Sequence, residues 1–190
     1  MADDTPREED HEADEPAPAG ESIGDDVAAA LVARFAGAVF EESHGQPVVY
    51  VGREQFADVA RYLRDEQQFT MLADVTAVDH LLDGTRLQID GVDPERFEVV
   101  ANYLSHARNR RLRVICQVPA SDPTVPSLTG AFRGANFPER ETFDLFGITF
   151  SGHPDLARIL MPDDWHGHPL RKDDPSARVP VTFKGDPAPR

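Results

Sequence analysis

One cysteine, Cys116, stands among the 190 residues, and that scarcity excludes several chemistries. A single thiolate cannot hold an iron–sulfur cluster or a four-cysteine zinc site, and it has no partner for an internal disulfide. A reducing setting is expected. The short devices that bind nucleotides or build nucleophiles are missing too: no G-x-G-x-x-G, no P-loop, no nucleophile elbow and no C-x-x-C occurs. Nothing points to a nucleotide, flavin or cluster held by this chain. The longest apolar run, residues 27–33, is far short of the ~20 residues a membrane span requires. The N-terminus is acidic and lacks the apolar core of a signal peptide. A soluble protein is expected, or one attached to a membrane through something else. Basic residues are few, 19 against 34 acidic ones, for a net charge of −15. Without a basic stripe to meet phosphates, a nucleic-acid partner is disfavoured.

The charge is unevenly placed. Residues 1–26 hold eleven acids and only Arg7 as a base, so the acidity belongs mostly to the tail. Residues 1–21 contain almost nothing to bury and read as a disordered acidic tail. From Asp25 the pattern turns helical, with Val27, Ala30, Leu31, Phe35, Ala38 and Val39 recurring at three and four. Residues 47–51 read as a buried strand and 53–66 as an amphipathic helix that buries Phe56, Val59, Ala60 and Leu63. Residues 69–90 suggest two strands joined at Asp83-Gly84. A clearer hairpin follows, 96–107 and 112–118 joined through "RNRR", its second strand alternating Leu112, Val114, Cys116 and Val118 with Arg113, Ile115 and Gln117. These pieces predict an α+β fold: a two-layer domain over 22–118, with a mixed or antiparallel sheet and helices on one face.

Past Val118 the texture changes. Eleven of the sixteen prolines lie in 119–190, which prevents long helices and interior strands. Residues 119–173 are expected to be extended, with a short helix near 137–146 bounded by Pro138 and Gly147, and 174–190 to form a tail. Five phenylalanines between Phe132 and Phe150 need a surface to lie on, in the same domain or on another protein. On the short helix, Arg140 and Asp144 stand four apart and are expected to pair. His153, Asp155, Asp163, Asp164, His166 and His168 invite a metal, but they lack the i, i+4 placement of a zincin, and a hydrogen-bonding surface is the better reading. Arg158, Arg171 and Lys172 are natural counter-charges for carboxylates in this chain or on a partner.

The run "ERETFDLFGITFSGHPDLARILMPDDWHGHPLRKD" (139–173) closely resembles the signature of the 30 kDa subunit family of the proton-translocating NADH–quinone oxidoreductase, respiratory complex I. The resemblance rests on Glu139, Arg140, Glu141, Asp144, Phe146, Gly147, His153, Pro154, Arg158, Leu160, His168, Arg171 and Lys172. One departure is Ala157, where the family usually has a basic residue before Arg158. The resemblance implies a subunit with no redox centre, no metal and no catalysis of its own, whose signature residues serve the interface with partners. FMN and iron–sulfur clusters would lie in partner subunits, and NADH and quinone would be substrates of the whole complex. The implied partners are the quinone-site subunit (D) and the neighbouring cluster-bearing subunits (B, I), in a peripheral arm on the cytoplasmic face of the cell membrane. Two other readings stand beside it. One is the corresponding subunit of a membrane-bound hydrogenase or ferredoxin-linked complex. The other is a small metal-dependent hydrolase using His153, Asp155, His166 and His168.

Overall fold

The computed structural model describes residues 25–175; the acidic tail expected over 1–21 and residues 176–190 lie outside that range. Helix α1 (Asp25–Arg34) buries Val27, Ala28 and Leu31. Its periodic run does not continue to Val39. Gly37 takes φ +80 and turns the chain, and Val39 opens a strand. That strand, β1 (Val39–Ser43), pairs with β2 (Gln46–Val51) across His44 and Gly45, whose φ values of +53 and +70 match the twist of a tight hairpin. A short 3-10 turn (Arg53–Gln55) then leads into α2 (Phe56–Asp65), where all four expected core residues are buried.

Residues 69–90 hold one strand rather than two, β3 (Met71–Asp79). The second one is replaced by a loop. Arg86 donates to the Glu95 carbonyl, Glu98 and Gln117, so this segment spends its polar groups on side chains of the sheet and not on a ladder. The true partner of β3 is β4 (Phe97–Ser105), which pairs in turn with β5 (Arg110–Val118). Their turn occupies 106–109, because Arg110 and Arg111 already oppose Ser105 and Leu104.

The strand order is β1-β2-β5-β4-β3, with β2 and β5 parallel and the other pairs antiparallel. The sheet is mixed, as the sequence predicts. Alternate residues of β4 (Phe97, Val99, Ala101, Tyr103) and β5 (Leu112, Val114, Cys116, Val118) share one core with α1 and α2. Burial pushes the Cys116 thiol up to about 12, so it is an inert core residue.

The core does not stop at Val118. Short strands β6 (Thr124–Pro126) and β7 (Thr149–Ser151) pair in parallel, with helix α3 (Asn136–Phe146) between them in the chain. Val125, Leu128, Phe132, Ala135, Phe146, Ile148 and Phe150 join the core of the sheet and helices. Prolines break this region into short elements, but its apolar side chains lie on their own domain. The extended stretch begins after Ser151: residues 152–174 run in turns and bends with no helix or strand. Among the described residues no helix is long and apolar enough to cross a membrane.

Candidate functional site

Helix α3 and the stretch after Ser151 hold the signature residues, and they are organised around two buried carboxylates. Glu139, in the first turn of α3, is fully buried. Its Oε2 accepts the Ser127 hydroxyl and its Oε1 the Leu128 amide, each at 2.6 Å, which ties the preceding loop to the start of the helix. Burial pushes its carboxyl up to about 7, and those two hydrogen bonds pull only partly the other way. Among the described residues no cation pairs with it.

Asp144 lies on α3 beyond Glu139 and is also fully buried. Its Oδ1 accepts from the Arg158 guanidinium at 2.7 Å. Its Oδ2 accepts from three successive amides, those of Ile159, Leu160 and Met161, at 3.0, 2.8 and 2.9 Å. Consecutive amides converging on one oxygen form a small anion nest. Burial works to raise this carboxyl, but the three amides and Arg158 outweigh it and hold it below the ordinary range. The expected Arg140–Asp144 ion pair therefore does not form. Asp144 turns inward to the nest, and Arg140 donates its Nε–H to the Ala157 carbonyl at 3.0 Å and stacks over Phe137.

The C-terminus of α3 is closed by the same stretch of chain. Gly147 ends the helix at φ +70. Arg171 donates to the carbonyls of Phe146 at 2.5 Å and Gly147 at 3.2 Å, and His168 Nδ1–H donates to that of Asp144 at 2.9 Å. These are orphan carbonyls that a helix end must satisfy elsewhere. The fit is tight: a Cβ on Gly147 would lie 2.5 Å from the His168 ring and 2.6 Å from Arg171. Further on, the Lys172 amide donates to Asp79 at the end of β3 at 2.9 Å, and Arg96 forks between Asp79 and Asp173. Burial opposes ionisation of Asp79, yet Arg96 and the amides of Lys172 and Leu81 bring it down to about 2. His153 completes the clasp, accepting the Asp155 amide at Nδ1 and donating Nε2–H to the Asn136 carbonyl.

Most of the expected residues thus act on their own chain. Arg140, Asp144, Gly147, His153, Arg158, His168 and Arg171 fasten residues 152–174 onto α3, Glu139 fastens the loop before α3 to its first turn, and Phe146 packs in the core. Glu141, Pro154, Leu160 and Lys172 lie on the outside of this clip. Asp79, Arg96, Ser127 and Asp174 belong to the same network and carry no mark in the sequence. Asp79 and Arg96 lie far from the signature along the chain, so no spacing rule links them. The metal set does not converge: among the described residues no group of three or more His, Cys, Asp or Glu is disposed to hold an ion.

Residues 49–179 match the family described as the respiratory-chain NADH dehydrogenase 30 Kd subunit. The chain belongs to that family. A NADH-quinone oxidoreductase C subunit from Roseiflexus sp. (strain RS-1) is 49% identical over 144 residues, covering 75% of this chain and 77% of that protein. One from Geobacter sulfurreducens is 42% identical over 147 residues, covering 76% and 85%. A solved trypsin-resistant fragment of Nqo5 aligns over 72% of this chain and 100% of its own length, with 33% identity and a TM-score of 0.59. A chain of the membrane-bound sulfane sulfur reductase, an archaeal respiratory membrane complex, shares the fold at 19% identity with a TM-score of 0.65; the match covers 86% of this chain and 96% of that one. The range matched to the 30 kDa subunit family contains the whole clip together with Asp79 and Arg96, the surfaces that receive it. At Ala157, the contact with Arg140 is made by the main chain and needs no charge at that side chain.

Proposed function

We propose that this chain is a non-catalytic subunit of the peripheral arm of a proton-translocating NADH–quinone oxidoreductase. It supports electron transfer from NADH to quinone by holding the quinone-site subunit (D) and the cluster-bearing subunits (B, I) in fixed relation. One observation carries this reading. The polar residues of the signature spend their donors and acceptors on fastening their own segment, and they do not converge on an open cleft where a substrate would react. Such a network makes a firm surface, which is what a spacer between electron-transfer partners needs. Family membership and the single buried cysteine support the same assignment. FMN and the clusters sit in partner subunits, and the chain is attached to the cytoplasmic side of the membrane through them.

On this reading the partner surface is the outer side of the clip. Leu160, Leu170 and Phe137 are large apolar side chains left exposed there, beside Glu141, Pro154 and Lys172. Their burial in the assembly supplies affinity, and the internally fixed backbone lowers the ordering cost on docking. Affinity purification of the tagged full chain from gently solubilised membranes tests the assignment. Flavin- and cluster-containing subunits are expected to accompany it in fixed ratio; recovery of the chain alone contradicts the proposal.

A further inference from the structure

A second surface lies on the opposite side of the sheet, away from the clip and the three helices. The loop of residues 80–96 folds over this face and borders a half-open cavity of about 340 Å³ lined also by β1, Tyr50 of β2, Glu98 of β4 and Gln117 of β5. The loop is held down firmly. Arg86 bridges Glu98, Gln117 and the Glu95 carbonyl, and His80 lies 3.1 Å from Glu98. Yet it displays Leu82 and Leu87, 84% and 81% exposed. Leu82 is held at φ +68, a left-handed conformation that costs a branched side chain energy. A fastened loop thus presents two leucines to solvent, Leu87 at the cavity itself.

Charge identifies the occupant. Leu87, Ile89 and Val92 line the cavity, and of the two glutamates of β1 it is Glu41, paired with Val48 on the Tyr50 face of the sheet, whose side chain faces it, whereas Glu42 shares the other face with Phe40. Glu41 has no cationic partner among the described residues, whereas the cations of the cavity, Arg86 and His80, are already engaged by Glu98 and Asp83. An apolar passage leading to an unpaired carboxylate fits a long aliphatic stem that ends in a positive charge.

We propose that this cavity receives an arginine or lysine side chain from a basic segment of a neighbouring subunit, with Leu82 and Leu87 packing beside it. This rests on the chain being a subunit of an assembly, and it adds to that reading a second contact on the face of the sheet opposite the clip. The test is a photo-crosslinking amino acid placed at Leu87, and in a second strain at Leu82, in the full tagged chain within its native membranes. The expected product joins either position to a peptide of another subunit with Arg or Lys close to the joined residue. In that background the charge reversal Glu41→Lys lowers the crosslink yield by roughly fivefold while the chain still co-purifies with its partners, and Glu42→Lys on the other face of the strand leaves the yield unchanged. Joining to a second copy of this chain or to a segment without basic residues overturns the proposal, as does no crosslink from a chain that co-purifies normally. A chain recovered without any partner subunit overturns the assembly reading as well, so the two failures are distinct.

Discussion

Asp144 meets its four donors with both oxygens while buried, and that geometry makes it the residue on which the clip depends. In Asp144→Asn one oxygen becomes a donor and Arg158 loses its counter-ion. Breaking one side of a desolvated pair costs about 3 kcal/mol. The variant is expected to melt at lower temperature and to be cut by trypsin at Arg158 faster than the parent; unchanged rates at Arg158 count against the clip. Glu139 behaves in the opposite sense with pH. It ionises near 4.5 in an unfolded chain and near 7 in the fold. Between those values the unfolded state has released a proton that the folded state keeps, so stability falls as pH rises through this window, by roughly 3 kcal/mol in all. Glu139→Gln is neutral throughout and keeps an acceptor for the Leu128 amide, so its melting temperature changes less than the parent's between pH 5 and 8. Asp79 acts in a separate window: lowered to about 2, it contributes stability that is lost only as pH falls below the ordinary carboxylate range. The sequence marks Glu139 and Asp144 through their signature and their helix. It cannot show that one is offset by amides and Arg158 while the other meets only a hydroxyl and an amide, because those partners come from loops whose path only tertiary packing decides.

Among the elements, those with strong periodicity were legible and those shaped by side-chain contacts were not. Phe56, Val59, Ala60 and Leu63 lie on the buried face that their spacing predicts for α2, and β5 alternates as its period of two demands. β1 escapes notice because its five residues sit at the edge of the sheet with two exposed glutamates, so its one apolar pair merges with the preceding helical run. The loop after β3 reads as a second strand because Asp83-Gly84 is a strong turn dipeptide, yet Arg86 draws the segment onto the face of the sheet. The proline-rich region was the hardest to read. Composition excludes long elements there but does not show which surface the phenylalanines cover. The structure places Phe150 and Ile148 in the core of the sheet. Phe150→Ala is therefore expected to cost about 3–4 kcal/mol in denaturant melts of the isolated chain. A loss near zero would mean that residues 119–151 lie apart from the domain.

At the scale of the whole molecule, the function we propose asks for geometry rather than chemistry, and a stretch over 152–174 fastened to helix and sheet supports that proposal. Electron transfer between partners falls off steeply with distance, so on the proposed reading a subunit that fixes spacing would support turnover without touching a substrate. Family membership was legible from the fixed order of residues 139–173. That many of those residues bond within their own chain was not, since a side chain that braces its own segment and one that meets a partner carry the same letters. Arg140 separates the two possibilities, because it lies at the rim, supporting the Ala157 carbonyl from outside the nest. The decisive measurement is made on membranes carrying Arg140→Ala: the quantity of assembled complex, from its flavin content, together with NADH–quinone turnover per flavin. The account predicts less assembled complex with turnover per flavin unchanged; full assembly with turnover abolished would contradict it.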